Sequence, residues 1–335
     1  MLRNIIFCLV MSFSFVNVKA QSDELLGRWI LVRTLSNDGK RLEINHPEYS
    51  KKMILDIKKN SLKIDDTNYN TKFKNNEVSI YNNAKLNFSF QIKDNYLITK
   101  AIKENTTNYF LKVDDFIQRF PEFKLKETIY NDEVVYLDNG ISAFYFDNDL
   151  SYDFFILING NQRSDKRVAK DPESIPLQFE YVLSTDNKIK SFKIVNSQNK
   201  ELDNDYIVRF NRASKYFVNT TDKDVLIRFN QVNTISYPEL TKAEEKRFYE
   251  ISAALDNFYN KNEFEKATSL YDEYINLKIR PNRFNKINDD NNIRFGISFL
   301  AQNKFNEACI AFKKVGDITN FRVRNYLLDF CQNEQ

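Results

Sequence analysis

The sequence predicts a multidomain α+β protein with an N-terminal antiparallel β meander or barrel, a central α+β domain and C-terminal all-α helical hairpins. Three patterns along the 335 residues indicate this order. Apolar and polar residues alternate with the period of a strand up to about residue 113, strand and helix patterns mix over 114–237, and the helical period dominates over 238–335. We therefore expect domains over 21–113, 114–237 and 238–335, a number that the chain length allows.

Residues 1–20 have the pattern of a Sec signal peptide. Arg3 supplies a positive charge, residues 5–16 form an apolar run, and the small residues Val18 and Ala20 precede Gln21. The run is too short to cross a membrane as a helix, and an uncleaved anchor helix is the alternative. We expect export to the periplasm without a transmembrane anchor, with secretion or association with the outer membrane as alternatives.

Composition argues against several function classes. The 49 Lys and Arg residues nearly balance the 46 Asp and Glu residues, so strong binding to a nucleic-acid backbone is not expected. One His and three Cys provide few metal ligands, and His46 before Pro47 is interpreted as a turn residue. The sequence has no Gly-rich phosphate loop and no Gly-x-Ser-x-Gly motif. We expect no enzyme activity, no metal and no cofactor.

Cys309 and Cys331 lie in segments that the sequence predicts as neighbouring helices. A disulfide between them is consistent with export, and two buried thiols are the alternative. The sequence leaves both open.

The first region contains short runs of alternating apolar and polar residues, such as residues 86–92. Asn- and Asp-rich breaks separate them, for example Asn37-Asp38-Gly39 and Asp94-Asn95. Asn and Asp tolerate the left-handed backbone and so form hairpin turns where Gly is scarce. About seven strands at this spacing predict an antiparallel meander that closes into a barrel or half-barrel.

The start of this region, Gly27-Arg28-Trp29, resembles the Gly-x-Trp opening of lipocalin-like domains. In that family the Trp lies on the first strand and plugs one end of the barrel; simple core packing is the alternative for Trp29. The resemblance implies a pocket for a small apolar ligand. The candidates for lining such a pocket are the aromatic residues Trp29, Phe73, Phe88 and Phe90. The same rings can instead fill the interior, and the sequence favours that outcome.

The central region predicts two strand pairs, a helix and a further strand. The strands are expected over 125–130, 134–137, 179–183, 189–195 and 225–232, and the helix from Asp203 to about Ser214. Residues 150–158 fit a helix or a strand equally well.

The order strand, turn, strand, helix and strand resembles the C-terminal domain of TonB and its relatives. The corresponding residues are 179–183, Asp186-Asn187, Val195-Asn196-Ser197 and Leu202-Asp203, with Asn187 in place of the family's turn Gly. The resemblance implies a binding module in which an extended partner segment adds to an exposed sheet edge. A core strand without a partner is the alternative.

The third region predicts paired helices, with helices expected over 244–259, 264–277, 293–301 and 305–315 and a loop over 278–292 between the two pairs. Residues 264–271 align with residues 305–312, 41 positions later, so that Ala267 and Tyr271 match Ala308 and Phe312. This resembles the tetratricopeptide repeat, and Gly296 takes a position where the paired helices of that family approach closely. The family period is about 34 residues, so the extra residues belong to a longer loop. Residues 321–331 are expected to form a capping helix.

The resemblance to this repeat implies a concave groove lined by the first helix of each pair. The expected solvent-facing candidates for partner binding are Arg247, Glu250, Asn257, Arg294 and Ser298. Each can hydrogen-bond or pair with an extended peptide. The alternative is that the central domain fills the groove and these residues form its rim.

The sequence therefore predicts a non-enzymatic, exported binding or scaffold protein of a Gram-negative cell envelope with protein partners. The first alternative is a carrier of a small apolar ligand within the barrel, and a hydrolase with an unfamiliar site is the second.

Overall fold

The computed structural model describes residues 24–65, 67–74, 76–81, 83–102, 104–141, 144–146, 178–196, 200–230, 240–279, 284–316 and 319–331. They form two compact units. The first runs to Leu42 and resumes over Lys52–Pro121, and the second contains Glu43–Lys51 and the chain from Glu122 onward. The signal segment 1–20 and the ambiguous residues 150–158 lie outside the described residues. The division into three domains stays a prediction.

The first unit is a closed antiparallel barrel of eight strands in sequence order. The strands are β1 (Gly27–Ser36), β2 (Ile54–Lys58), β3 (Ser61–Ile64), β4 (Thr67–Lys74), β5 (Glu77–Ile80), β6 (Phe88–Lys93), β7 (Tyr96–Ala101) and β8 (Thr106–Lys112). Closure occurs because β1 pairs with both β2 and β8. The predicted meander and its closure are confirmed, with one more strand, β4, than the sequence indicated.

Asn and Asp residues make the tight turns of this barrel. Asp65, Asn76, Asp94 and Asn95 have φ angles of 50°, 62°, 51° and 66°. Residues other than Gly rarely adopt this left-handed backbone conformation, and among them Asn and Asp do so most easily. A chain with only six Gly residues therefore builds its hairpins from Asn and Asp.

Short helical elements lie between strands along the chain. Helix α1 (Val113–Arg119) follows β8 and packs against β1 and β8. Short 3-10 turns lie at Pro47–Ser50, Ala84–Leu86 and Pro121–Phe123. His46 precedes the first of these turns, and its Nδ1 accepts the N–H of Glu48 at 3.3 Å, which agrees with its interpretation as a turn residue.

The second unit contains a five-stranded sheet. Its strands are β9 (Lys126–Tyr130), β10 (Glu133–Leu137), β12 (Gln178–Leu183), β13 (Ile189–Asn196) and β15 (Val225–Asn230), in the order β13-β12-β15-β10-β9. Only the β10–β15 pairing is parallel among the pairings described. Strands β11 (Phe144–Phe146) and β14 (Phe217–Asn219) form a separate antiparallel pair. The two predicted strand pairs of the central region are confirmed.

Helix α2 (Lys200–Ala213) covers one face of this sheet. Its Tyr206, Phe210 and Ala213 are buried in one cluster with Phe179 and Tyr181 of β12. The Phe210 ring centroid lies 4.8 Å from that of Tyr181. Aromatic packing of this kind fixes the helix on the sheet.

Helices make up the C-terminal part of the second unit. They are α3 (Ala243–Asn260), α4 (Phe264–Ser269), α5 (Tyr271–Ile275), α6 (Asn285–Ala301), α7 (Phe305–Lys313) and α8 (Phe321–Tyr326), followed by a π-helical turn over Leu327–Cys331. The helix expected over 264–277 is interrupted at Leu270, and α6 begins eight residues earlier than the expected start at Ile293.

The close approach expected at Gly296 is present. A Cβ atom added there would lie 2.4 Å from a ring carbon of Phe312. Ala267 and Ala308, the matched positions of α4 and α7, are both fully buried. Small side chains thus stand where the helices pack most tightly, while membership of the tetratricopeptide family stays a prediction.

Two further contacts hold the helical part together. Of the two alternatives for the cysteines, the structure has the disulfide between Cys309 and Cys331. The segment Glu43–Lys51 packs on α8, where the Tyr49 ring stacks on Tyr326 at 4.5 Å and the Tyr49 hydroxyl donates to Asp329 Oδ2 at 3.0 Å. The sequence did not indicate this packing. Within the described ranges, no helix has the length and apolar character needed to cross a membrane.

Candidate functional site

The five-stranded sheet ends in β9 on one side and β13 on the other. Among the described residues, each of these strands pairs with one neighbour only, β10 for β9 and β12 for β13. A terminal strand keeps one row of backbone N–H and C=O groups available to another chain. The two edges differ, because an open cleft lies beside β13.

Strand β13 contains two β-bulges. The register with β12 passes from Ser191 to Ile189 and from Ile194 to Asn196, so that Lys190 and Val195 have no partner residue. Between the bulges, residues 191–194 keep a regular antiparallel register. Bulges bend an edge strand and reorient its side chains; here the first one places Ile189 against the aromatic core.

The cleft lies between the start of β13 and the end of α2, and its volume is about 590 Å³. Its lining consists of Asn187, Lys188, Ile189, Lys190, Ser191, Phe192, Asn211, Ser214 and Lys215. Three of these residues are lysines and none is acidic. The cleft therefore combines an apolar floor with a basic rim.

Phe192 forms the rigid part of the floor. Its ring centroid lies 4.3 Å from Phe210 on α2 and 5.4 Å from Phe179 on β12. Contacts with rings from two other elements restrict the rotation of this side chain. The cleft is thus bordered by a strand and a helix whose relative position is fixed by packing.

Asn187 holds the turn at the mouth of the cleft. Its φ angle is +64°, and its Oδ1 accepts the backbone N–H of Asn219 at 2.7 Å. Asn219 in turn donates through Nδ2 to the carbonyl oxygens of Leu183 and Lys223, at 3.2 and 2.7 Å. A Gly at position 187 would permit the turn but lacks the side chain that fastens it to β14.

The rim lysines are cationic. Lys188 forms an ion pair with Asp186 at 2.6 Å, and Lys190 with Asp224 at 2.5 Å. The hydrogen bond and the negative charge of each carboxylate raise the pKa of its lysine above the ordinary value. Lys215 lies over the Tyr216 ring, with Nζ 4.9 Å from the centroid.

The helical candidates for partner binding are partly engaged within the chain. Arg247 is exposed and forms a two-point contact with Glu273, with Nε at 2.5 Å from Oε1 and a terminal nitrogen at 2.7 Å from Oε2. The hydrogen bonds to Glu273 and Glu250 raise its pKa further. Arg294 forms an ion pair with Asp256 at 2.9 Å. Asn257 is exposed.

Ser298 does not face solvent, so that part of the prediction is wrong. Its side chain is 0% exposed. The reason is that α6 is buried on nearly all sides, including its polar residues Asn291 and Asn292. A helix in the interior of an array has no single solvent face, and its polar residues do not mark the exposed side. The structure therefore separates Ser298 from the other four candidates.

The aromatic residues expected to line the barrel lie together inside it. Trp29 and Phe88 are buried in one hydrophobic cluster, against which Phe73 and Phe90 pack as partly buried residues. The Trp29 indole N–H donates to the carbonyl of Leu25 at 2.9 Å, and Lys112 Nζ lies 5.3 Å from its ring centroid.

A group of polar side chains also faces the barrel interior, which the sequence did not indicate. Thr106 and Asn108 alternate with the interior Phe110 on β8, and Asn108 Oδ1 accepts the hydroxyl of Thr34 at 2.7 Å. Thr71 alternates with Phe73 on β4. The hydroxyl oxygens of Thr71 and Thr106 are buried without a hydrogen-bond partner in the described structure.

No metal centre is apparent in the part of the chain that the structure describes, because no three His, Cys, Asp or Glu side chains there could hold an ion. Comparison with protein-family models, curated proteins and solved structures finds no match to this chain.

Proposed function

We propose that the protein is an exported, non-enzymatic binding protein of a Gram-negative cell envelope that takes an extended segment of a protein partner onto β13. The observation that carries this proposal is a terminal strand beside an open cleft of about 590 Å³. The backbone row of β13 that no described strand pairs with supplies hydrogen bonds, and the cleft accepts side chains of the added segment. Strand addition in other proteins uses this division of roles.

Several features support the proposed context. The order β12, turn, β13, α2, β15 supports the resemblance to the TonB C-terminal domain, and the closed barrel behind Gly27-Arg28-Trp29 supports the lipocalin-like resemblance. The tight packing at Gly296 supports the tetratricopeptide-like helices. The Cys309–Cys331 disulfide supports export, because structural disulfides persist in oxidising compartments.

Blocking each edge of the sheet in turn tests the proposal. Val195 on β13 is 46% exposed and Ile129 on β9 is 65% exposed, so a cysteine at either position can be labelled with a maleimide-polyethylene glycol. A chain beginning at Gln21 would be used, in which the disulfide occupies both remaining cysteines. Peptides selected from a displayed library for binding to the unlabelled protein should fail to bind when position 195 carries the polymer.

The same label at position 129 is the matched control and should leave binding unchanged. Peptides that bind equally well to both labelled proteins would show that β13 is not the binding edge. Loss of binding only with the label on β9 would show that the peptides bind to the opposite edge of the sheet.

A second candidate function is transport of a small ligand in the barrel, favoured by the buried, unpartnered hydroxyls of Thr71 and Thr106. Buried polar groups without a partner are costly, and a bound group can satisfy them. Because this part of the interior is polar, we propose a ligand with a hydrogen-bonding end rather than a wholly apolar one.

Native mass spectrometry of the protein purified from its own envelope tests this second candidate. A bound small molecule should be present and should be lost in Thr71→Val and Thr106→Val. Thr107→Val serves as the control, because the Thr107 hydroxyl bonds Asn37 Oδ1 at 2.8 Å and Thr107 alternates with the interior residues. A spectrum without any bound molecule would argue against a carrier.

A further inference from the structure

We infer that the segment bound by β13 is acidic, an extended strand that carries carboxylates opposite the lysines of this edge. The inference rests on the proposed function, because it specifies the chemistry of the partner that the same edge would take. The charge pattern of the strand and its cleft supports it.

Lysines stand on the edge strand and beside its cleft. Strand β13 carries Lys190 and Lys193 and no acidic residue. Lys188 precedes the strand in the turn, and Lys215 faces it from the other side of the cleft. A segment that added to this edge would therefore lie beside four ammonium groups.

Acidic residues of the chain itself compensate this charge only in part. Asp186 and Asp224 pair with Lys188 and Lys190. Glu180 stands opposite Lys193 in the register, but its carboxylate contacts Arg228 Nε at 3.4 Å.

Lys193 and Lys215 form no ion pair among the described residues. Two cations thus remain available, one on the strand and one across the cleft. The Lys188–Asp186 pair is largely exposed, and exposed pairs contribute little, so a partner carboxylate can replace Asp186 at small cost.

The lysines also determine which strands are rejected. Lysine on an edge strand discourages indiscriminate pairing, because a neutral or apolar strand would cover the ammonium groups without compensating their charge. A basic strand would place like charges opposite one another, which is unfavourable. Opposite charges across a strand pair are favourable, so only an acidic strand turns these side chains into attractive contacts.

The apolar floor distinguishes a peptide from other anions. Ile189 and Phe192 line the cleft below the lysines and belong to the core of the sheet. A nucleic acid could use the lysines, but it has no backbone complementary to a strand edge. The overall charge of +3 also provides little general attraction for a polyanion.

Three fluorescent peptides of identical length test the inference against the chain beginning at Gln21. Each alternates Val or Thr with a second residue, which is Glu, Gln or Lys. We expect the Glu peptide to bind about two- to fivefold more tightly than the Gln peptide by fluorescence anisotropy. Lys193 and Phe192 point to opposite faces of the sheet, so the Glu residues gain a charge pair with Lys193 on one face or with Lys215 on the other. The difference should shrink as salt is raised, and the Lys peptide should bind most weakly.

Charge reversal identifies the residues responsible. The double variant Lys193→Glu/Lys215→Glu should lose the preference for the Glu peptide and gain one for the Lys peptide. Lys126→Glu is the matched control, because Lys126 is an exposed lysine on the opposite edge strand; it should change neither preference. If the double variant does not fold, judged by circular dichroism, Lys193→Gln/Lys215→Gln should still abolish the preference.

The outcomes separate the inference from the proposed function. Equal binding of the Glu and Gln peptides would refute the acidic partner while leaving strand addition in place. Failure of all three peptides to bind would count against the inference and against the proposed function together. Competition by single-stranded DNA as strong as that by the Glu peptide would instead indicate a general polyanion site.

Discussion

Replacing Gly296 by Ala should destabilise the second unit, because the added methyl group has no room. It would lie 2.4, 2.6 and 2.7 Å from three ring carbons of Phe312, which is itself 0% exposed. Contact distances begin near 3.4 Å, so the ring would have to move by about 1 Å. The Phe312 ring stacks on Tyr326 at 4.9 Å, and Tyr326 stacks on Tyr49, so the movement is opposed.

The expected loss of stability is the difference between two opposing effects. Overpacking a well-ordered core costs typically 1–3 kcal/mol, and the stacked rings place this site at about 3 kcal/mol. Ala in place of Gly within a helix returns about 1 kcal/mol. The net loss should be about 2 kcal/mol, or a melting temperature lowered by about 4–8 °C for a unit of this size.

Urea and thermal denaturation measure this loss, and two further variants control it. Gly316→Ala should change stability little, because the nearest atom to its added Cβ, Asp289 Oδ1, is 3.9 Å away. Adding Phe312→Leu to Gly296→Ala should cost less than the sum of the single changes. If Gly296→Ala is as stable as the parent protein, the close approach of α6 and α7 is wrong.

Three other predictions follow from the second unit. Cys309→Ser/Cys331→Ser should lower the free energy of unfolding by about 3 kcal/mol, the value that chain entropy gives for a separation of 22 residues. Reducing the disulfide of the parent protein should lower its free energy of unfolding by the same amount. Burial raises the pKa of Tyr274 above its ordinary value of 10.0. Because the unfolded chain then ionises at lower pH than the folded chain, the free energy of unfolding should fall as pH rises past 10.0. Urea denaturation at a series of alkaline pH values should show a smaller fall for Tyr274→Phe. Arg247→Ala/Arg294→Ala should lower the melting temperature by no more than a few degrees, since both ion pairs lie at the surface.

The sequence predicted the barrel because local signals agree with it. Alternation sets one face of each strand inward, and Asn and Asp residues supply the left-handed turns. Strand β4 was not predicted, because its outward residues are Asn and Lys and its inward residues include Tyr69, Thr71 and Phe73. Its inward set includes a polar residue, so the alternation of apolar and polar residues is weak there.

In the helical part, the period of the hydrophobic residues did not predict every helix. The α6 segment before Ile293 is almost wholly polar, and its sequence predicted a loop. In the structure Asn291 and Asn292 are buried, and Asn291 Nδ2 donates to Ser252 Oγ at 2.7 Å. A helix surrounded by others can bury polar residues that bond to its neighbours, and hydrophobicity then does not identify it.

The candidate site could be predicted only in outline. The resemblance to the TonB domain pointed to a sheet edge, but the cleft is formed by residues from the β12–β13 turn and the end of α2, such as Asn187 and Lys215. Their proximity depends on the packing of Phe192 against Phe210, which is a tertiary contact. The role of Asn187 in fastening the turn likewise requires knowing that Asn219 lies beside it.

Hydrogen exchange of the two edge strands tests the central claim most directly. Amides of Ile189–Asn196 and Lys126–Tyr130 would be compared by mass spectrometry or NMR, with and without a saturating amount of the Glu peptide. If the peptide adds to β13 as a strand, exchange in Ile189–Asn196 should slow while that in Lys126–Tyr130 stays the same. Slower exchange confined to Lys126–Tyr130, or no change in either strand while the peptide is bound, would contradict the account.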